Sequence, residues 1–459
     1  MSLVQTYNPV TSVNDQTGDI TIDAQSLGVG AYRELAPVNL PVSNATRIAL
    51  ARKASLVYSL TELRNSDLVG NTTVFTTEID REGYWYYDPT DLESEDNTGT
   101  VVVSFSGKRY KRYNFGTILS SWFEQTNEGF QKFLDASQNK TGIINKSINL
   151  TASINFRSGT IEQYNGVVVS TSASKGFVGE NVNLQLTNVV LRATNANVDT
   201  LLELVTSKVI FFNVELKDWY VFGLKSYSCS LFSQILRITG INVPNKTVGT
   251  GFYARQLNDS FLNDLYVTQF GNQAIYVEAG FNNYFLNTSV SSGLYYGPVV
   301  IKEGALNSFT NLSVAGNTLN AFSLEIINTS DLRFINCRFG SSPNLEQQLY
   351  EPVYFQNCQF GKLYTGAYPH RMVCTDCTFA GLPSQRKGSV TLTSTSGQTQ
   401  YRFPHGLANT PRYLSLNPGY NNPVRGFSLT SDGSDVVCIL DQPIASTGTN
   451  LLFYFQLSI

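Results

Sequence analysis

From about residue 180 onward, short runs of alternating apolar and polar residues end repeatedly on a side-chain amide or acid. Superposing LQLTN, VIFFN, LFSQI, SFLND, YFLNT, SFTNL, RFINC, YFQNC and VCTDC aligns Asn188, Asn213, Gln234, Asn263, Asn287, Asn311, Asn336, Asn357 and Asp376. Successive spacings are 25, 21, 29, 24, 24, 25, 21 and 19 residues. That period is too irregular for leucine-rich repeats and too short for propeller blades, and it suits one coil of a parallel β-helix. Asn tolerates the left-handed conformation of a sharp corner, and its amide can bond the equivalent residue in the next coil about 4.8 Å away. The pattern therefore predicts a ladder of these residues along one corner. Helical periodicity is absent from this region.

The flanks read differently. Residues 1 to about 50 are turn-rich and polar, with Pro9, Pro37 and Pro41, and read as an extended attachment segment. Between 55 and 115, strand-like runs at 73–77, 83–87 and 100–105 surround the acidic loop 91–96 and predict a small β domain. Trp122, Phe123, Phe130, Phe133 and Leu134 form a partial helical stripe, and Ser121 with Glu124 has capping-box spacing, so one helix is expected over 121–136. Past Gly381, the stretch 383–388 reads as a linker into alternating strands of a terminal β-sandwich.

Charged residues make up only 15% of the 459 residues while hydrophobic ones reach 42%, so the polarity rests on amides and hydroxyls and a packed state is expected. The net charge of −3, with no basic run beyond the pairs at 108–109 and 111–112, argues against nucleic acid as partner. No run approaches eighteen apolar residues and the N-terminus lacks the pattern of a secretory signal, so neither membrane insertion nor that export route is expected. Six cysteines are too sparse for a disulfide scaffold, and folding in a reducing compartment fits.

Four motifs resemble bacteriophage tailspikes and tail fibres. They are VTSVNDQTGDITIDAQSLGV at 10–29; the stretch from SLTELRNSDL at 59 through EGYWYYDPTDLESEDNTGTVVVSFSGKRYKR to 112; NEGFQKFLDAS at 127–137, similar to the helix that caps a pectate-lyase-like β-helix; and QYRFPHGLANTPRYLSLNP at 400–418. The resemblance implies an all-β chain divided into a virion-attachment segment (1–54), a small β domain (55–117), a right-handed parallel β-helix with its capping helix (118–383) and a C-terminal β-sandwich (388–459). It also implies a homotrimer on the virion tail, assembled in the host cytoplasm. Such a protein would be joined to a tail or baseplate protein by its N-terminal segment and would bind a bacterial surface polysaccharide. The alternative is a depolymerase that cleaves capsule or lipopolysaccharide, since many tailspikes do so with paired carboxylates.

Counting from the corner residues puts Arg255, Glu278, Lys302 and Glu325 in one outward column of alternating sign. Glu278 and Glu325 would then lie two coils apart, about 10 Å, near the upper end of the roughly 6.5 to 9.5 Å used by inverting glycosidases, which makes them candidate catalytic residues. A charge ladder is the competing reading. Trp219, Tyr220, Tyr253, Tyr276, Tyr295 and Tyr296 are candidate glycan contacts, because a pyranose C–H face packs on an aromatic ring. Cys337, Cys358 and Cys377 follow the corner in consecutive coils and should stack inside. Cys374 and Cys377 with His370 have a spacing formally open to zinc, and 91–96 carries acids that could meet Ca²⁺, but corner geometry and a solvated loop account for them; no metal or cofactor is expected. His405 is expected in a turn or a trimer contact.

Overall fold

The structure is a computed structural model that describes residues 12–13, 16–17, 54–66, 73–113, 116–241, 248–291, 299–315, 322–345, 351–362, 372–380, 382–383, 385–393, 395–405, 407, 411, 413–418, 426–432, 434–442 and 450–458. The chain divides into two compact units, Met1–Ser55 and Leu56–Ile459. Within the first, Ser12–Val13 pairs antiparallel with Gln16–Thr17; the rest of the expected attachment segment lies outside the described residues.

The second unit is all-β apart from two short helices and one 3-10 turn among the described residues. No helix there is long and apolar enough to cross a membrane. It begins with a small antiparallel sheet in which Gly83–Tyr87 lies between Thr73–Thr76 and Arg109–Arg112, and Arg109–Arg112 pairs also with Val101–Val103. Leu60, Leu63, Val74, Trp85, Val102 and Tyr110 make its core. Strand Arg109–Arg112 and the helix Leu60–Asn65, capped by the Ser59 hydroxyl, were not foreseen from the pattern. The acidic loop is also less solvated than expected: Asp96 pairs with Arg64 at 2.8 Å and Asp91 with Lys111 at 3.2 Å. Among the described residues no cluster of His, Cys, Asp or Glu could hold a metal.

From Thr117 the chain winds into a parallel β-helix with three faces. Strands such as Asn183–Thr187, Ser308–Thr310 and Met372–Thr375 form the first face; Val190–Ala193, Ser289–Ser291 and Thr378–Phe379 belong to the second; Ile154–Asn155 through Ser342–Leu345 build the third, a separate nine-stranded sheet. Neighbouring coils are parallel throughout, and one hydrophobic cluster fills the interior from Ile118 to Phe379. Inward positions repeat in kind: Phe285, Phe309, Phe334 and Phe355 stack ring on ring with centroids 4.4, 5.1 and 5.0 Å apart. The helix Asn127–Ala136 closes the first coil by burying Phe130, Phe133 and Leu134. It begins later than the expected Ser121, because Ser120–Trp122 is a single 3-10 turn and the Thr126 hydroxyl is the cap, accepting from Gly129 N at 3.1 Å.

The corner ladder exists with two corrections. Asn188, Asn213, Asn287, Asn311, Asn336, Asn357 and Asp376 all have φ between 52° and 57°. In the two coils between Asn213 and Asn287 the left-handed residues are Ile235 and Asp264, each one position after the expected Gln234 and Asn263. Rungs of the ladder bond as Asn213 Nδ2 to Asn188 Oδ1 at 2.9 Å, Asn311 Nδ2 to Asn287 Oδ1 at 2.9 Å and Asn357 Nδ2 to Asn336 Oδ1 at 2.8 Å. Just inside it, Cys337, Cys358 and Cys377 are buried as expected, and each thiol donates to a carbonyl, those of Phe309, Phe334 and Phe355.

A second, fully internal polar row runs along the turn that returns from the third face to the first. Ser260, Asn283 and Asn307 occupy it in successive coils, with Asn283 0% and Asn307 2% exposed. Asn283 Oδ1 accepts from Ser260 N at 3.1 Å, and its Nδ2 donates to Leu257 O at 2.8 Å and Asn307 Oδ1 at 2.9 Å. Asn307 Nδ2 donates onward to Gly280 O. Interior amides satisfied in this way fix the turn without leaving a buried donor open.

Arg112 joins the small sheet to the first coil. Its guanidinium, 3% exposed, lies between the Trp85 and Trp122 rings at 4.3 and 4.4 Å and donates to Gly99 O, Glu82 O and Arg81 O at 2.6, 2.7 and 3.1 Å. Burial pulls its pKa down to about 9, which leaves it charged at neutral pH. A Cβ at position 83 would lie 2.3 Å from Arg112 Nη1, so glycine there makes the room the guanidinium occupies.

After the solenoid, the strands 385–393, 413–418 and 450–458 form one antiparallel sheet and 400–404, 427–431 and 435–440 a second. Their inner side chains, among them Tyr401, Phe403, Val436, Phe453 and Phe455, make one cluster. Strand pairing begins at Gln385, opposite Ser458, inside the stretch expected as linker. His405 is buried in a turn, where its Nδ1 accepts from Leu407 N at 3.0 Å.

Candidate functional site

Two outward rows of the third face carry the chemistry. One is Glu203, Lys225, Tyr253, Tyr276, Val300 and Glu325, and the other Tyr227, Arg255, Glu278 and Lys302, each residue paired to its neighbour in the next coil. Between the rows, Phe252, Ala254, Ile275 and Val277 point inward and are buried, the alternation a half-buried strand requires.

Tyr253 and Tyr276 are therefore opposite one another, and their rings stack 5.4 Å apart at 8°. Phe222 and Tyr227 meet Tyr253 edge-on at 5.8 and 5.9 Å, and the Lys225 ammonium lies over the Phe222 ring at 4.6 Å. Tyr253 donates to Glu278 Oε2 at 3.2 Å, and Lys302 Nζ donates to Glu278 Oε1 at 3.4 Å. Burial, reinforced by the Glu278 carboxylate, pushes the Tyr253 phenol up to about 12. The Tyr276 phenol is raised for the same two reasons, and the bond to Glu278 raises Lys302. The result is an aromatic ridge with a neutralised carboxylate on its rim and the exposed Arg255 beside it.

Glu325 is not in the column expected for it. Lys302 pairs with Ile327, and Glu325 pairs with Val300, which puts it in the tyrosine row. The third-face positions equivalent to Glu278 fall fourteen, fifteen and sixteen residues after the left-handed corners Asp264, Asn287 and Asn311, because the turns entering this face lengthen from coil to coil. Two coils and two residues along the strand then separate Glu278 from Glu325, about 12 Å between Cα atoms and outside the column geometry that made them a catalytic pair. Val300, a short side chain 2% exposed, lies between Tyr276 and Glu325.

Of the other candidate glycan contacts, Trp219 is 0% exposed and belongs to the core, so it cannot meet a saccharide. The shift of register between Lys217 and Trp219 turns the indole inward. Tyr220 is half-buried at the turn into the third face and belongs to neither of the two rows. Tyr295 and Tyr296 lie outside the described residues, as does His370. Sequence reasoning missed Lys225 and Tyr227, although the Lys-x-Tyr spacing of 225–227 carries the same strand alternation, and it missed Phe222, whose parity in the strand is that of the inward Leu224.

A groove of about 670 Å³ opens on the second face over the first coils. Ser147, Asn149, Ser170, Arg192, Thr194 and Asp218 are its polar lining, over Ile148, Val168, Ala193 and Ile241.

Residues 57–115 match the family of the phage tail protein small four-stranded beta-sheet domain, which is the small sheet described above. No curated protein matches the sequence. Among solved structures the chain is similar to the tailspike protein of Acinetobacter phage vB_ApiP_P1, with 11% identity over 88% of this chain and 98% of that one and a TM-score of 0.54. It is also similar to gp49 of Acinetobacter baumannii bacteriophage Fri1, a tailspike described as a capsular polysaccharide depolymerase, with 11% identity, 88% and 98% coverage and a TM-score of 0.49. For the tailspike of Acinetobacter baumannii phage AM24 the values are 12%, 92% and 97%, and 0.45. The chain thus carries a phage tail domain joined to the parallel β-helix fold that the first of these tailspikes shares.

Proposed function

We propose that this protein is a bacteriophage tailspike that binds a host surface polysaccharide through the third face of its β-helix. The observation that carries this reading is the parallel tyrosine pair, Tyr253 and Tyr276, half-buried on the outer side of a sheet in a chain that also carries a phage tail domain. A sugar ring packs its C–H face along this ridge, and its hydroxyls meet Arg255, Lys302 and Glu325. Both carboxylates act as hydrogen-bond acceptors rather than as an acid and base, since the register parts them. The tailspike binds without cleaving by these residues.

The spike is a homotrimer whose β-helices are right-handed, fixed to the virion tail or baseplate by residues 1–54 and carrying a C-terminal β-sandwich. Support for the trimer comes from the first face, which exposes Phe212, Phe261 and Tyr284 in its earlier coils and Tyr354 and Val373 in its later ones, with Ser308 and Arg333 in the row between. Large apolar side chains exposed in neighbouring coils of one face mark an interaction surface. Copies related by a threefold axis would cover it.

The test is binding of the purified full chain to extracted capsular polysaccharides and lipopolysaccharides from a panel of bacterial strains, Acinetobacter baumannii among them. One or more glycans should bind, and Tyr253→Ala with Tyr276→Ala should weaken that binding at least tenfold while the mass in solution stays that of a trimer. Retention of full affinity by the double variant overturns the site; release of reducing sugar that vanishes in Glu278→Gln or Glu325→Gln overturns the binding-only reading.

A further inference from the structure

The groove on the second face is built around a defect in the strand ladder. The strand Lys208–Trp219 keeps register with Ser230–Gly240 until Lys217, and there the pairing skips, so that Trp219 rather than Asp218 meets Gly240. Asp218 takes up a left-handed backbone, φ 59°, which Asp tolerates better than most residues. Bulges of this kind commonly re-aim a side chain next to a site. Here the bulge drives the Trp219 indole into the core and leaves the Asp218 carboxylate lining the groove. Two glycines accommodate the wedge: a Cβ at Gly223 would come within 3.0 Å of Trp219 Nε1, and one at Gly251 within 3.5 Å of its Cζ2.

What the bulge presents is a matched set of polar groups. Arg192 Nε donates to Asp218 Oδ2 at 2.5 Å, so one carboxylate and one guanidinium cancel in charge. Among the described residues this bond uses only Nε and Oδ2; Arg192's two terminal nitrogens and Asp218 Oδ1 stay open to the groove. Asn149 Oδ1 accepts from the Ser170 hydroxyl at 3.2 Å, which leaves its two amide protons for a ligand. Apolar floor comes from Ile148, Val168, Ala193 and Ile241. Donors and acceptors fixed around an apolar floor, with no net charge, suit a ligand that is itself neutral and offers neighbouring hydroxyls.

We infer that this groove is a second saccharide site, selective for a neutral hexose, in which Asp218 accepts from two adjacent hydroxyls while Arg192 and Asn149 donate to ring and hydroxyl oxygens. It is separate from the tyrosine ridge on the third face, and it lies off the apolar first face, so a trimer closed through that face leaves it open. A uronate is disfavoured, because its carboxylate would face Asp218 and the guanidinium is already paired.

Saturation-transfer NMR on the full chain tests this with the methyl glycosides of glucose, galactose, mannose and N-acetylglucosamine, alongside glucuronate and galacturonate. At least one neutral glycoside should give a signal that falls fivefold or more in Arg192→Gln with Asp218→Asn and persists in Tyr253→Ala with Tyr276→Ala. Asn keeps the left-handed backbone and Gln the side-chain length, so both substitutions preserve the fold, checked by an unchanged circular dichroism spectrum. Absence of any neutral-sugar signal, equal or stronger signals from the uronates, or survival of the signal in the groove variant overturns the inference. Loss of that signal in the tyrosine variant instead assigns it to the ridge and overturns it likewise. Polysaccharide binding that needs the ridge alone would leave the tailspike reading standing while this site fails.

Discussion

Replacing Asn283 by Leu, nearly equal in volume, separates the inner polar row from the outer ladder. The substitution removes three hydrogen bonds, but Leu257 O also accepts from Phe281 N at 2.8 Å and stays satisfied. Two buried groups are left open, the Ser260 N–H and Asn307 Oδ1. At about 1 to 3 kcal/mol for each buried orphan, the local cost is about 4 kcal/mol. The matching change in the outer ladder is Asn287→Gly, which deletes exposed bonds to Asn263 and Asn311 and suits φ 52°. Its cost should not exceed about 1 kcal/mol. In a solenoid each coil contacts only its neighbours, so both effects should be local. Hydrogen-exchange mass spectrometry reads them directly, as amide protection in peptides covering 255–310. Asn283→Leu should speed exchange there by roughly 10³-fold and Asn287→Gly by less than about tenfold. Equal effects, or a change below tenfold for Asn283→Leu, would refute the view that satisfaction of buried groups rather than the visible ladder holds these turns.

Three other outcomes follow from the same physics. Thr288 is buried with a hydroxyl that has no partner among the described residues, so Thr288→Val should raise stability by about 1 kcal/mol, seen as a slower unfolding rate in guanidinium. Because the folded Tyr253 phenol is raised above its ordinary value of about 10, its protonated form contributes stability that is lost as pH rises from about 10 through about 12; Tyr253→Phe should remove one late-titrating tyrosinate from the ultraviolet titration and flatten that loss. Arg112→Lys keeps the charge but not the planar fork, and should destabilise the small sheet by about 2 to 4 kcal/mol, checked by the near-ultraviolet signal of Trp85 and Trp122.

The solenoid was legible because its corners demand a left-handed residue and Asn meets that demand with a side chain that also bridges coils. The reading slipped by one position where the chain departs from this chemistry. Ile235, β-branched, holds a corner at φ 67°, and Asp264 holds the next although an Asn precedes it. Within one strand, alternation was enough to find Tyr253, Tyr276, Arg255 and Glu278 together. Across coils it was not, since the turns entering the third face change length, and counting from the corners placed Glu325 beside the wrong neighbour. Trp219 shows the same limit: parity along the strand cannot reveal a bulge, and the bulge decides which of Asp218 and Trp219 faces outward. The inner row of Ser260, Asn283 and Asn307 has no sequence signature apart from polar residues in turns, where polar residues are ordinary.

The Arg112 sandwich also sets an angle. About ten coils at ~4.8 Å make a lever on the order of 50 Å, so a tilt of about 10° at its base would carry the far coils sideways by about 8 Å, nearly two coil spacings. One guanidinium, clamped by an indole from each side and tied to three carbonyls of the small sheet, removes that freedom where it is most magnified. The Lys146–Asp80 ion pair at 2.9 Å adds a second point of contact between solenoid and sheet, and two points resist rotation where one would act as a pivot. Aim, at the distal end of such a rod, is therefore decided by a few side chains at its proximal end.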